Sequence, residues 1–207
     1  MPTLIVVDMQ NDFIGGSLAV PDAVHILPVV NRVINKFAFS RLPIIYTKDM
    51  HPPMHKSFAS MQGTEPFTMG VLNGQPQMFW PDHCVVETPG NELHSQLLVV
   101  EGKLIVEKGT NPQFDSYSGF EDAGRNPTAM LQTLAHAGTP PHDNLIICGL
   151  ATDYCVKATA LDAVKRGYVA SVLLDACKGV DPKTTVEAIE EMAKAGVLIE
   201  HTARLQL

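Results

Sequence analysis

Three residues suited to amide chemistry stand at or just after the ends of separate apolar runs. Asp8 follows LIVV, Lys108 ends LIVEK, and Cys155 follows NLIICGL by a few residues. A thiol becomes a nucleophile when a neighbouring group takes its proton and a cation stabilises the thiolate. Alone, Asp8 could cap a turn and Lys108 could be solvated. Together with Cys155 they predict attack by a thiolate on an amide carbon.

The residues before Cys155 predict a turn from a strand into a helix. Thr152 or Asp153 could cap that helix, with Cys155 in its first turn, where the positive end of the helix dipole favours a thiolate. Unpaired N–H groups at the same turn could hold an oxyanion. The alternative is that Cys155 packs as a small apolar residue, the commoner role of cysteine. Its position after a strand favours the reactive role.

A fourth apolar run ends in a pair with metal-ligand spacing. Asp49 and His51 lie two residues apart at the end of PIIYTKDMH, so their side chains would share one face of a strand. His83 or His55 could supply a third ligand. Two histidines and a carboxylate with open positions suit catalytic zinc or iron. Since the chain has eight histidines, the alternative is that these are ordinary loop residues.

The elements that must position these residues alternate between strand and helix. Six runs are continuously apolar, as in strands that are covered on both faces. Helical periodicity separates several of them. The pattern predicts an α/β three-layer sandwich with a doubly wound, mainly parallel six-stranded sheet. Ligands of such sheets bind at the carboxyl ends of the strands. The predicted strands are Leu4–Val7, Ile44–Thr47, Leu104–Glu107, Leu145–Cys148, Val169–Leu174 and Val197–Glu200.

Three segments show the spacing of an amphipathic helix. In each, apolar residues recur at intervals that place them on one face. The sequence Asn126-Pro127 and Gly138 are start and stop signals for the second segment, and Gly196 ends the third. The residues predicted to face the core are Val30, Val33, Ile34 and Phe37; Met130, Leu131 and Leu134; and Val186, Ile189 and Ala193.

The composition bounds the class of protein. A chain of 207 residues that is 45% hydrophobic and 18% charged predicts a single globular domain over residues 1–207. A net charge of −7 argues against nucleic acid as a partner. Neither a signal peptide nor an apolar run of about 20 residues is apparent, so we expect no membrane association. Four scattered cysteines indicate reduced thiols in a cytoplasmic protein, with Cys148 and Cys177 packed in the core.

A long stretch between residues 50 and 92 has no clear strand or helix pattern. Irregular loops beyond about 15 residues are uncommon and are usually functional. This stretch contains His51, His55, Trp80 and His83. Aromatic residues could also form the walls of a site for a flat ring, although most aromatic residues simply pack in cores. The candidates for such walls are Phe13, Trp80 and Tyr117.

Four blocks of the sequence resemble the nicotinamidases, a group of isochorismatase-like cysteine hydrolases. They are VVDMQNDF with GGSLAV after it, TKDMHP with HKSF, WPDHCV followed by TPG, and EKGT through YSGF to GLATDYCV. The likeness extends over nearly the whole chain. The Asp, Lys and Cys blocks are general to the superfamily, whereas the DxH pair and the WPxHC block indicate a nicotinamidase.

The resemblance implies a role for each candidate residue. It implies a general base, a stabilising cation and a nucleophile at Asp8, Lys108 and Cys155, respectively. It also implies a cis peptide before Ala151 and an oxyanion hole formed by the N–H groups of Ala151 and Cys155. Further residues would hold the pyridine ring, with its nitrogen near a divalent metal. The ring-holding residues would be Phe13, Trp80 and Tyr117, and the metal ligands Asp49, His51 and His83.

The resemblance further implies a substrate and a metal. The substrate would be nicotinamide, hydrolysed to nicotinate and ammonia for NAD salvage, with pyrazinamide as a second substrate. The metal would be Zn²⁺, with Fe²⁺ or Mn²⁺ as alternatives, and the enzyme could form a homo-oligomer. The spacing of His55 differs from that of an extra histidine in some relatives, which leaves it outside the ligand set. A related hydrolase that acts on another small amide or ureido substrate is the alternative function.

Two departures from the family pattern stand out. Met50 occupies a position where the family usually has Trp. The stretch over residues 58–79 is longer and richer in methionine than in many members. We expect that stretch to alter the rim of the pocket and its tolerance for larger amides.

Overall fold

A six-stranded parallel sheet forms the centre of the protein, as predicted. The computed structural model describes residues 1–206. The order of the strands across the sheet is β5-β2-β1-β6-β7-β8, and every neighbouring pair runs parallel. All six predicted strands are present, several of them longer than expected. Their bounds are β1 Thr3–Val7, β2 Ile44–Asp49, β5 Leu104–Lys108, β6 Asn144–Leu150, β7 Val169–Lys178 and β8 Leu198–Glu200.

Helices cover both faces of this sheet. Helix α2 packs against β1, β2 and β7, whereas α4 contacts β5, α5 contacts β7, and α6 contacts β8 and α5. With the right-handed crossovers that parallel strands adopt, this strand order puts α2 on one face and α5 and α6 on the other. The bounds are α1 Asn11–Ile14, α2 Leu27–Phe39, α3 Ala59–Gln62, α4 Met130–His136, α5 Lys157–Lys165 and α6 Pro182–Lys194.

Two helices bury only part of the face predicted for them. Leu131 is 45% exposed and Val186 is 56% exposed, so neither belongs to the core. In α4 the buried residues are Met130 and Leu134, four apart on one stripe. In α6 the predicted Ile189 packs partly buried against the core and the predicted Ala193 is exposed, while two other side chains are fully buried. They are Ala188 and Met192.

The stretch predicted to be irregular contains a β-hairpin. Strand β3 spans Thr68–Leu72 and pairs antiparallel with β4, Gln75–Phe79. Its sequence hides the hairpin because β3 is mostly exposed and β4 carries Pro76, which is tolerated only at edges of sheets. The hairpin leads directly to Trp80. No helix among residues 1–206 combines the length and the apolar character needed to cross a bilayer.

The strand order reverses between β1 and β6. In open α/β sheets, ligands bind at such a switch point, outside the carboxyl ends of the strands. Val7 and Gly149 are partners in the register of β1 and β6. The chain continues from these residues to Asp8 on one side and to Cys155 on the other. The fold therefore brings two of the predicted reactive residues to the place where a ligand is expected.

Candidate active site

The ammonium group of Lys108 is the centre of a buried cluster. Its Nζ lies 2.6 Å from Oδ1 of Asp49, 2.9 Å from Oδ2 of Asp8 and 3.5 Å from Sγ of Cys155. It also donates a 2.8 Å hydrogen bond to the carbonyl oxygen of Ser116. The three candidate catalytic residues thus converge within contact distance. Asp8, Asp49 and Cys155 also form a possible metal-binding set, but the lysine nitrogen already lies among them.

The sheet explains how side chains from distant strands meet. Asp49 and Lys108 are directly opposite in the register of β2 and β5, and the long lysine side chain reaches towards β1. Thr47, two residues before Asp49, donates a 2.6 Å hydrogen bond to Oδ1 of Asp8 and accepts one from its N–H. Asp8 has a positive φ of 48°, which turns the chain sharply at the end of β1. Thr47 therefore fixes the carboxylate, a role not recognised from the sequence.

The surroundings of Cys155 disfavour its thiolate form, chiefly through burial. Burial raises the pKa of the Cys155 thiol well above its usual value; Asp8 and Asp49 add to this, and Lys108 opposes it. Burial also raises the pKa of Asp8, against the effect of Lys108. Although burial acts to lower the pKa of Lys108, Asp49 and Asp8 raise it well above the usual range, so it is an ammonium ion. Burial thus opposes the thiolate that the helix end is predicted to favour.

The turn before Cys155 differs from the predicted capped α-helix. Residues Thr152–Val156 form a π-helical turn that leads into α5, and no side chain caps it. The peptide between Leu150 and Ala151 is cis, as the resemblance implied. Asp153 points elsewhere: it accepts hydrogen bonds from the N–H groups of Val180 and Asp181. The predicted cap therefore ties the Cys155 turn to the start of α6.

A metal-ligating group lies beside the lysine cluster. Donor atoms of Asp49, His51 and His83 all lie within 4.8 Å of one another, and the three residues are buried. In the part of the chain that the structure describes, neither ring nitrogen of His51 has a hydrogen-bond partner. Buried polar atoms are rarely left unpaired. A carboxylate with two imidazoles is a donor set that suits a divalent metal, so the residues present fit one.

Local structure orients both histidines. The N–H of His51 donates to the carbonyl oxygen of Cys84, and its carbonyl accepts from Val86, so the WPDHCV block runs alongside it like a strand. Nδ1 of His83 lies 2.7 Å from the carbonyl oxygen of Pro81. A carbonyl only accepts, so Nδ1 carries the proton and Nε2 keeps a free lone pair. This tautomer is the one that metal ligation through Nε2 requires.

His55 is close to the metal-ligating group but has other partners. Its ring contacts that of His51 edge-on, with 4.5 Å between centroids. Nδ1 lies 2.7 Å from the hydroxyl oxygen of Ser57, and Nε2 lies 3.2 Å from the carbonyl oxygen of Phe114. Both ring nitrogens therefore have protein partners. His55 supports the ring of His51 and stays outside the ligand set.

A cleft of about 410 Å³, including its mouth, opens onto Cys155. The three predicted aromatic residues, Phe13, Trp80 and Tyr117, all line it, as do Ala151 and the metal-ligating residues Asp49 and His83. Several lining residues were not recognised from the sequence. They are Leu18, Val20, Asp115, Tyr154 and Val180.

Two residues with structural importance for the site escaped the sequence analysis. The side chain of Gln10 accepts from the N–H of Asp49 and donates to its carbonyl, which clamps the backbone of that residue. Gln10 lies in the VVDMQNDF block, so a signal existed. Asp115 is buried in the cleft wall and lies within the block that runs from EKGT through YSGF, so a signal existed for it as well. Burial acts to raise the pKa of Asp115, but His51 and His55 outweigh it and the pKa is lowered.

Comparisons with known proteins agree over nearly the full length. The isochorismatase domain family matches residues 2–204. A nicotinamidase of Escherichia coli (strain K12) is 44% identical over 199 residues, which cover 95% of this chain and 92% of that protein. A solved Acinetobacter baumanii nicotinamidase/pyrazinamidase superposes with a TM-score of 0.91 at 38% identity, covering 99% of this chain and 98% of that one.

A third relative was solved with a metal. The pyrazinamidase of Pyrococcus horikoshii, in complex with zinc, superposes with a TM-score of 0.81 at 40% identity, over 97% of this chain and 98% of that one. These matches involve the whole sheet and the segments that carry the candidate site. The chain therefore belongs to the isochorismatase domain family and, within it, to the nicotinamidases.

Proposed function

We propose that this protein hydrolyses nicotinamide to nicotinate and ammonia and so serves NAD salvage, with pyrazinamide as a further substrate. One observation carries the proposal: Cys155, Lys108 and Asp8 meet at the inner end of a cleft whose walls include Trp80 and Tyr117. A flat aromatic amide matches such a cleft, because its ring can pack against the walls while its carboxamide reaches the sulfur.

Acylation begins with a proton transfer from Cys155 to Asp8. The raised pKa of Asp8 makes it a stronger base than an ordinary aspartate, and its Oδ2 lies at the ion-pair distance from Lys108. The thiolate attacks the carboxamide carbon, and the developing oxyanion is held by the N–H groups of Ala151 and Cys155. Asp8 then returns the proton to the amide nitrogen. The C–N bond breaks, ammonia leaves, and a thioester remains on Cys155.

Deacylation reverses these roles with water. Asp8 takes a proton from a water molecule that attacks the thioester carbon, and the proton passes to sulfur as the C–S bond breaks. Lys108 stays charged throughout and offsets the negative charge of the thiolate, at 3.5 Å from Sγ. Nicotinate is released, and the resting thiol and carboxylate are restored.

The proposed metal is Zn²⁺, with Fe²⁺ or Mn²⁺ as alternatives, held by Asp49, His51 and His83. Support comes from the compact donor set and from the zinc complex of the Pyrococcus horikoshii relative. When bound, such an ion supplies a Lewis acid and a fixed point for orienting a ligand. The donor type does not by itself choose among these ions.

We also propose the cytoplasm as the compartment. All four cysteines, which lie within the described residues, are free and buried. Free thiols in these numbers are typical of reducing compartments.

Ammonia release from nicotinamide tests the function. Purified protein should release ammonia and nicotinate in equal amounts, pyrazinamide should react as well, and incubation with a chelator should abolish the reaction until metal is restored. The matched comparison is a small ureido compound under the same conditions. Turnover of the ureido compound without turnover of nicotinamide would overturn the proposal in favour of a related cysteine hydrolase.

A further inference from the structure

Trp80 and Tyr117, the aromatic wall of the cleft, form one hydrogen-bonded network with the side chains of Asp115 and Gln77. Oδ2 of Asp115 accepts from Nε2 of Gln77 at 2.7 Å and from the indole Nε1 of Trp80 at 3.2 Å. The hydroxyl oxygen of Tyr117 accepts from the same two nitrogens, at 3.3 Å and 3.1 Å. The other carboxylate oxygen of Asp115 accepts from the N–H of Ser116 at 2.9 Å. Both oxygens of Asp115 are thus used by donors.

This network connects the hairpin to the cleft. Gln77 belongs to β4 and does not line the cleft, whereas Trp80, Asp115 and Tyr117 do. The indole also packs edge-on against Tyr154, with 5.0 Å between centroids. The position of the indole is therefore set from one side by packing and from the other by hydrogen bonds. Among the described residues, Gln77 has no hydrogen bond to the lysine cluster, whereas Asp115 is linked to it through Ser116, whose N–H donates to Asp115 and whose carbonyl accepts from Lys108 Nζ.

The carboxylate suits this position for a chemical reason. Three N–H groups converge on Asp115, and a carboxylate offers only acceptors. An amide in its place offers one oxygen and one NH₂ group. Whichever way that amide is turned, its NH₂ faces an N–H donor, either that of Ser116 or those of Gln77 and Trp80. Only a carboxylate at position 115 accepts all three hydrogen bonds that hold Trp80 and its neighbours in place.

From this geometry we propose that Asp115 and Gln77 are positioning residues that fix the Trp80–Tyr117 wall and so set the affinity for an aromatic amide. The inference rests on the proposed function for its substrate. The hairpin acts through this pair: β4 carries Gln77 to the network and the chain then delivers Trp80. Neither residue contacts the reacting atoms, and Gln77 has no hydrogen bond to any residue that holds Lys108, so the reactivity of Cys155 does not depend on Gln77.

The test measures the fluorescence of Trp80 without substrate and the KM for nicotinamide. Trp80 is the single tryptophan of the chain, so its fluorescence reports on this network alone. In Asp115→Asn and in Gln77→Met the emission maximum should shift to longer wavelength. KM for nicotinamide should rise about tenfold in Asp115→Asn, the effect expected from losing a charge-assisted hydrogen bond, while kcat changes little. In Gln77→Met, labelling of Cys155 by iodoacetamide should keep its wild-type rate.

Two further variants sharpen the result. Gln77→Glu alone would place two carboxylates in contact and would lose the bond that the Gln77 amide donates to the carbonyl of Met78 at 2.7 Å. Combined with Asp115→Asn, it restores an acceptor opposite the new NH₂ group but not the bond to Met78. The double variant should have a KM and an emission maximum between those of Asp115→Asn and the wild type. Gln75→Met changes an exposed residue of the same strand in the same way as Gln77→Met, and it should change neither.

The outcomes separate this inference from the proposed function. Unchanged emission and KM in Asp115→Asn, or a fall in kcat alone, would overturn the inference. If Asp115→Asn does not fold, Gln77→Met and the double variant decide by the same readouts. If the wild type does not turn over nicotinamide, the proposed function fails, whereas the fluorescence shifts still establish or refute the role of the pair in holding the wall.

Discussion

Asp49 stands directly opposite Lys108 in the register of β2 and β5, and its Oδ1 lies 2.6 Å from the lysine Nζ. The same carboxylate belongs to the metal-ligating group with His51 and His83. One side chain therefore joins the lysine cluster to the proposed metal site. Changes in either half of the site are expected to affect the other.

Removing the charge of Lys108 should affect both stability and activity. Lys108→Met leaves the buried carboxylates of Asp8 and Asp49 without their cation, and breaking a buried pair costs about 3–5 kcal/mol. We expect a loss of that order in the free energy of unfolding, measured with urea, and no amide hydrolysis. The matched control is Lys157→Met, which removes the partly exposed pair with Glu191 and should cost at most about 1 kcal/mol. Equal losses of unfolding free energy in the two variants would contradict the central role of Lys108 in the buried cluster.

Gly109 offers a test of the space around His51. A methyl group added at Gly109 would lie 2.8 Å from Nε2 of His51, and the residue has a φ of +67°. Gly109→Ala should therefore lower metal content and activity in addition to a backbone cost of roughly 1–2 kcal/mol. Gly102 has a similar φ of +69° but open space around it, so Gly102→Ala should carry the backbone cost alone. Full metal content in Gly109→Ala, by elemental analysis, would argue against a ligand role for His51.

His83 should be required to retain the metal. His83→Ala removes the imidazole whose Nδ1 is held by Pro81 and whose Nε2 remains for ligation. We expect metal content and activity to fall together, while the exposed His136→Ala leaves both unchanged. A full complement of metal in purified His83→Ala would remove it from the ligand set.

The metal-free protein should lose stability as the pH falls below about 6.5. Burial, with help from His83 and His55, lowers the pKa of His51 well below the ordinary value of 6.5. As the pH falls, the unfolded chain therefore binds a proton at His51 before the folded protein does. The free energy of unfolding is unaffected by this group above pH 6.5 and falls below it, by up to about 1.4 kcal/mol per pH unit. Urea unfolding in the presence of a chelator measures the slope. His51→Gln should be less sensitive to pH over this window, and an identical slope would refute the assignment.

The sequence predicted the sheet and the residues at its carboxyl end because both follow from short apolar runs. Each run is buried on both faces, and the residue that follows must lie at the same edge as its neighbours. Asp8, Asp49 and Lys108 could be placed together in this way. The raised pKa of the Cys155 thiol could not be predicted, since it results from burial by several segments that meet only in the folded chain.

Three other features could not be predicted from the sequence because they also depend on contacts that form only in the folded chain. The β3–β4 hairpin has little alternation and contains Pro76, so it resembles a loop. Asp115 follows no strand, and only the folded loop brings it to Trp80. Asp153 looks like a helix cap, yet its partners Val180 and Asp181 come from a distant turn.

Mass spectrometry of acid-quenched protein during turnover tests the central claim most directly. Peptides from a reaction with nicotinamide should carry a nicotinoyl group on Cys155 and on no other cysteine. The adduct should be absent from Cys155→Ala, which should still bind nicotinamide, and it should remain in Cys177→Ala. A variant lacking the Cys155 thiol that releases ammonia at a rate near the wild type would contradict the claim.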